Sequence, residues 1–130
     1  LRTYHTILLV STQQGMQNLY RIISASHLDY FYRRPRVPKS LIQKYRKGLI
    51  IGSACESGEL FSAILENKPE SEIEEIVNFY DYLEIQPIGN NRFMIERMPS
   101  SVNSASLRPF PVVLTGLHTF SFHLSYDRSE

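Results

Sequence analysis

Two short segments of the chain are almost entirely apolar and rich in β-branched residues. They are residues 4–10, YHTILLV, and residues 49–52 within GLIIGSA. Runs of this kind are typical of strands that are buried on both faces of a parallel sheet. Further strands are predicted over residues 80–88, YDYLEIQPI, and within residues 110–120, FPVVLTGLHTF, as far as the Thr-Gly pair.

The segments between these predicted strands have the residue spacing of helices. Residues 16–28 place apolar side chains at helical spacing, and helices are also predicted over 39–45, 58–66 and 69–80. The alternation of strand and helix favours an α/β fold with parallel strands. Residues 29–38, DYFYRRPRVP, carry two prolines among aromatic and basic residues and are predicted to form a loop.

Charge is balanced overall but uneven along the chain. The 130 residues, enough for one domain at most, carry a formal net charge of +1. Seven of the 14 basic residues lie between Arg33 and Lys47, and nine of the 13 acidic residues lie between Glu56 and Glu84. A basic segment without acids binds polyanions in some proteins and is simply solvated surface in others, so both interpretations stay open.

The chain has a single cysteine, which excludes an internal disulfide. The apolar run near the start is too short for a signal peptide, and no stretch approaches the ~20 apolar residues that span a bilayer. These features predict a cytoplasmic protein with no membrane partner. Because the first residue is Leu1 and a strand follows almost at once, we interpret the chain as a fragment that enters a domain midway.

Several candidate metal ligands lie in or just after the predicted strands. Cys55 follows the strand at 49–52, His118 follows the last predicted strand, and His5 and Glu84 lie within strands. Thiolate, imidazole and carboxylate are the usual zinc ligands. A lone cysteine is more often a small buried residue, however, and a strand histidine is more often part of the core. No CxxC, HExxH, P-loop or GxSxG spacing is present.

Four longer segments closely resemble one known family. They read TYHTILLV, GMQNLYRIISASHLDYFYRRPRVPKSLI, GLIIGSACESGELFSAIL and FYDYLEIQPIGNNRFMI. They are similar to the polymerase-and-histidinol-phosphatase (PHP) domain of PolC-type DNA polymerase III alpha subunits. The resemblance is nearly continuous from residue 3 to about residue 97.

The resemblance implies a partial, distorted (β/α) barrel that holds divalent metal ions, zinc or manganese, at its mouth. It assigns residues 1–97 to the portion of a PHP domain that follows an inserted exonuclease domain. By the same resemblance, His5 and Cys55 are metal ligands, whereas other family ligands would lie before Leu1. Residues 98–130 are expected to be a divergent tail, either degraded or frame-shifted. His118 lies near an expected ligand histidine, although the family's TGDVHF-like motif is incomplete there.

The function implied is that of a fragment of a bacterial replicative DNA polymerase. The fragment would contribute PHP scaffold and part of a metal site, with the exonuclease and polymerase domains and DNA as partners. It is expected to be inactive alone and to bind metal weakly. The alternative is a free-standing metal-dependent PHP phosphoesterase or 3′–5′ exonuclease, which a complete ligand set would favour.

Two further sets of residues are expected to make contacts. Arg33, Arg34 and Arg36, interleaved with aromatic residues, are predicted to contact either nucleic acid or another domain of the polymerase. Glu59 begins the helix after Cys55 and is expected to cap that helix or to orient the cysteine's loop.

A barrel that lacks its first strands would also leave the strand at 4–10 as an unpaired edge.

Overall fold

The computed structural model describes residues 2–84 and, by their backbone, residues 122–127. These residues form strands and helices in alternation as far as residue 65, which confirms the predicted α/β class. The helices are α1 (Gln13–Leu28), α2 (Lys39–Lys44), α3 (Glu59–Leu65) and α4 (Glu70–Phe79). The strands are β1 (Thr3–Val10), β2 (Arg36–Pro38), β3 (Leu49–Gly52) and β4 (Phe122–Asp127).

The strands form one sheet in the order β2-β4-β1-β3. β1 is antiparallel to both β3 and β4, and only β2 and β4 run parallel. The prediction of a parallel sheet is therefore wrong, and so is the prediction that residues 4–10 form an unpaired edge. An apolar run indicates burial, but the direction and partner of a strand depend on long-range pairs such as Ile7 with Gly52.

Burial along β1 alternates from one residue to the next. Tyr4, Thr6 and Leu8 are buried, while the residues between them are half-buried, so the strand is not equally buried on both faces. Thr6 is completely enclosed, and its hydroxyl donates a hydrogen bond to the carbonyl oxygen of Gly52 at 3.0 Å. The bond removes most of the cost of burying a polar group.

Two parts of the sheet differ from the sequence predictions. β2 lies inside the segment predicted to be a loop, and its position at the sheet edge suits Pro38, which has no amide to donate. In the strand predicted over residues 80–88, Tyr82 forms an isolated bridge with Gly52 and residues 83–84 form no strand. Residues 85–88 and the strand predicted within 110–120 lie outside the described residues.

Helices α1, α3 and α4 pack their apolar faces into one core with the sheet. Its fully enclosed members include Leu8, Leu19, Ile22, Ile51, Leu60, Ile64 and Ile76. α1 begins three residues earlier than predicted because the Thr12 hydroxyl caps it, accepting a hydrogen bond from the Gly15 amide at 3.1 Å. Within residues 2–84 no helix has the length and apolar character needed to cross a bilayer.

Candidate metal-binding loop and arginine surface

Residues 53–58, the cysteine loop, connect β3 to α3 through two constrained positions. Ala54 has a positive φ of 58°, and the Gly58 amide donates to the Cys55 carbonyl at 2.8 Å, closing a tight turn. A Cβ on Gly58 would lie 2.3 Å from the Ser53 carbonyl oxygen. Glycine is therefore required at residue 58, because any side chain would push the turn open.

The cysteine loop is hydrogen-bonded to β1 beside the predicted ligand His5. The His5 amide donates to the Ser57 carbonyl at 2.9 Å, and His5 also forms a parallel bridge with Gly58. Cys55 lies two residues before Ser57 and carries a free, half-buried thiol. The segments that carry His5 and Cys55 are thus neighbours, while the role of the two residues as ligands stays a prediction.

A complete metal site needs more donors than these two. Residues 2–84 contain no group of three or more histidine, cysteine, aspartate or glutamate residues arranged to hold a metal ion. Structural zinc sites use four protein ligands and catalytic sites usually three. The described residues therefore do not fit a complete zinc site by themselves, and His118 lies outside them.

Glu59 is enclosed at the start of α3, where its side chain is only 1% exposed. One carboxylate oxygen lies 3.0 Å from the Lys39 ammonium, and that ammonium lies 4.4 Å from the centre of the Phe79 ring. The ion pair joins the first residue of α2 to the first residue of α3, and Phe79 at the end of α4 lies beside the ammonium. Sequence reasoning missed Lys39, because nothing in the pattern distinguishes it from the other basic residues nearby.

A tyrosine packs against the other side of the cysteine loop. The Tyr82 ring lies over Gly52, where an added Cβ would come within 2.3 Å of it, and the Tyr82 hydroxyl donates to Glu84 at 3.1 Å. The Glu84 amide in turn donates to the Ser53 hydroxyl at 2.9 Å. Burial, reinforced by the Glu84 charge, raises the pKa of Tyr82 well above its ordinary value of 10.0.

Arg46 is a second basic residue with an internal role that the sequence did not indicate. Its guanidinium contacts Asp81 at 2.7 Å and donates to the Phe79 carbonyl at 2.7 Å. The other Asp81 oxygen accepts a hydrogen bond from the Ile51 amide at 2.8 Å. Arg46 therefore fixes the chain after α4 against β3.

Residues 30–36, the arginine loop, carry the three predicted contact arginines. The guanidinium carbons of Arg33 and Arg36 lie 5.6 and 5.0 Å from the centre of the Tyr32 ring. Arg34 donates to the Thr3 hydroxyl at 3.2 Å. The structure thus brings Arg33 and Arg36 to the same ring, whereas Arg34 is hydrogen-bonded to the start of β1.

Comparison with known proteins identifies the family. The sequence pattern of the PHP domain matches residues 2–100. The chain is similar to PolC-type DNA polymerase III from Caldanaerobacter subterraneus subsp. tengcongensis, with 61% identity over 97 residues. It is similar to the PolC-type DNA polymerase III of Clostridium perfringens, with 59% identity over 97 residues, and to that of Bacillus subtilis, with 50% over 95 residues.

These alignments take in most of the chain but little of each relative. The alignments with the Caldanaerobacter and Clostridium proteins each cover 75% of this chain and 7% of the relative. The alignment with the Bacillus subtilis protein covers 73% of this chain and 6% of the relative. The relatives are therefore far longer proteins. PHP domains are in general metal-dependent, and the match over residues 2–100 shows that this chain belongs to the PHP domain family.

Proposed function

We propose that the chain is the PHP-domain portion of a PolC-type replicative DNA polymerase. The observation that carries the proposal is 61% identity over 97 residues to a polymerase of which those residues make up only 7%. The parent protein would perform template-directed nucleotidyl transfer. The residues of this chain would contribute scaffold and part of a metal site, and would take no part in the polymerase reaction itself.

His5 and Cys55 are the proposed metal ligands of this chain, with His118 as a third candidate. The hydrogen bond between the His5 amide and the cysteine loop supports the pairing of the first two. Thiolate and imidazole donors suit zinc, and a bound divalent ion would keep the thiol deprotonated. The remaining ligands would come from other parts of the parent's PHP domain.

The parent's other domains and its DNA are the proposed partners, and the cytoplasm is the proposed compartment. The names of the relatives support all three proposals, because they describe DNA polymerases. A distorted (β/α) barrel is the proposed complete fold, to which the sheet described above would contribute one part.

A free-standing metal-dependent phosphoesterase or exonuclease is the competing function. Clustered metal ions in such an enzyme generate hydroxide and neutralise the phosphate, which requires a full set of ligands on one chain. The described residues supply no group of three. The scaffold role is preferred because the matched residues make up only 7% of a relative that is named as a polymerase.

Sequencing the genomic locus and its transcript tests the proposal. We expect one reading frame that continues into exonuclease and polymerase segments on either side of this sequence. A short, separately transcribed gene whose product also holds a complete set of PHP ligands would overturn the polymerase assignment and favour the phosphoesterase.

A further inference from the structure

The arginine loop presents three consecutive aromatic side chains to solvent. Tyr30, Phe31 and Tyr32 are 38%, 55% and 59% exposed, although aromatic rings usually account for much of a protein's buried area. Tyr20 and Leu28 on α1 are exposed as well. Exposed apolar rings concentrated in one short loop indicate a surface that contacts another molecule.

The arginines of this loop are not neutralised within the described part of the chain. Arg33, Arg34 and Arg36 form no salt bridge with a described carboxylate, whereas Lys39 and Arg46, from the same basic segment, each form one. Asp29, the nearest acid in sequence, forms no salt bridge with them, and its backbone amide donates to the Ala25 carbonyl at the end of α1. Among the described residues, three of the segment's unpaired positive charges thus lie within four residues of one another in this loop, and the others are Lys44 and Lys47.

A tight turn places two of the arginines, Arg33 and Arg36, around one ring. The Tyr32 amide donates to the Arg34 carbonyl at 3.2 Å, and Arg33 between them has a positive φ of 61°, which is uncommon for a residue with a side chain. Contact with the Tyr32 ring orients the guanidiniums of Arg33 and Arg36 and leaves N–H groups for a planar oxyanion acceptor. The Nε of Arg36 is buried without a hydrogen-bond partner among the described residues, so any contact with an acceptor would use the terminal N–H groups of this side chain.

We propose that the arginine loop binds single-stranded DNA, with the arginines on successive phosphates and bases stacked on Tyr30 and Phe31. An acidic protein segment would satisfy the charges, but three exposed rings are better explained by bases, which offer flat faces to stack on. Duplex DNA hides those faces. The choice of DNA over RNA rests on the proposed polymerase function, whereas the binding of a single strand does not.

The test is fluorescence anisotropy with the full 130-residue chain and a labelled oligothymidylate of about 20 nucleotides, longer than one typical site of ~4–16. The variant carries Arg33→Ala, Arg34→Ala and Arg36→Ala. The control carries Arg21→Ala, Lys44→Ala and Lys47→Ala, which removes three exposed positive charges elsewhere. Circular dichroism and thermal melting verify that all three proteins are folded alike.

The loop variant should bind at least about tenfold more weakly than the wild type at moderate salt. Its plot of log affinity against log salt should be flatter by about 2, since each phosphate contact on a single strand contributes ~0.7. The control should retain most of the affinity. Phe31→Ala should weaken binding about fivefold or more through lost stacking.

Equal losses in the loop variant and the control would overturn the proposal, because general electrostatics would then explain binding. Tighter binding to the matched duplex, or no binding to either form, would overturn it too. Preference for a matching single-stranded RNA would contradict the choice of DNA. Loss of crosslinks to other domains of the parent, with DNA affinity unchanged, would assign the loop to domain docking. The genomic test of the polymerase assignment does not depend on any of these results.

Discussion

The Lys39 ammonium lies 3.0 Å from a carboxylate oxygen of Glu59, which is almost wholly enclosed at the start of α3. Glu59 directly follows the cysteine loop, and Lys39 directly follows β2. The pair therefore connects the segment that carries Cys55 with the segment that carries the arginine loop. Placing a carboxylate out of water is costly, and the nearby ammonium offsets much of that cost.

Replacing Lys39 should destabilise the fold much more than replacing an equally exposed lysine whose carboxylate partner is less enclosed. Lys39→Met removes the ammonium while Glu59 stays enclosed, and should lower the free energy of unfolding by about 3 kcal/mol. The matched control is Lys68→Met, which breaks the more exposed pair with Glu72 and should cost about 0.5 kcal/mol. Urea unfolding measures both, and equal losses would show that the enclosed pair has no special role.

The contact between α1 and the turn before β3 allows no side chain at Gly15. A Cβ there would lie 1.9 Å from the Gly48 carbonyl oxygen, and Gly48 itself has a φ of +80°. In a free helix, Gly15→Ala would stabilise by up to about 1 kcal/mol, but here the overlap should make it destabilising by about 2 kcal/mol. Ser24→Ala, at an exposed position of the same helix, should change the melting temperature little. A Gly15→Ala variant that is more stable than the wild type would contradict this packing.

Tyr82→Phe should reveal the raised pKa of the tyrosine through the pH dependence of stability. At neutral pH the variant should lose about 1 kcal/mol with the hydrogen bond to Glu84. Above pH ~10 the tyrosine ionises in the unfolded wild type while it stays protonated in the folded state, so the wild type loses stability as pH rises. The difference between wild type and variant should therefore shrink between about pH 10 and 11. A constant difference would contradict a raised pKa.

Metal binding by the 130-residue chain should be weak and should depend on Cys55. Cobalt(II), used as a spectroscopic substitute for zinc, should give a thiolate-to-metal absorption band only at high metal concentration, and Cys55→Ser should abolish the band. His5→Ala should weaken metal binding relative to the wild type, while His27→Ala, at an exposed histidine of α1, should leave it unchanged. A tight site that survives Cys55→Ser would exclude the proposed ligand pair.

Local sequence patterns were sufficient to predict the helices. The apolar spacing of α1 and the helical pattern over residues 69–80 indicated α1 and α4 to within three residues at each end. The same patterns do not specify strand direction. β1 is antiparallel to its neighbours because of pairings across more than 40 residues, such as Ile7 with Gly52, and no local signal encodes such contacts.

The candidate site was predictable only in part for the same reason. The resemblance to PHP domains pointed to His5 and Cys55, and the structure adds that their segments are hydrogen-bonded neighbours. Lys39 and Arg46 were missed because their carboxylate partners are distant in sequence, and Tyr82 because it packs on the distant Gly52. A single basic or aromatic residue carries no pattern that would reveal such a partner.

We propose above that this chain is a working part of a PolC-type polymerase. The most direct measurement is primer extension by a chimera in which residues 2–100 replace the matching segment of the Caldanaerobacter subterraneus enzyme. We expect the chimera to synthesise DNA at a rate comparable with the parent's, and a control chimera carrying Gly15→Ala together with Gly48→Ala to fold and synthesise poorly. A chimera that is folded and soluble yet makes no DNA would contradict the claim.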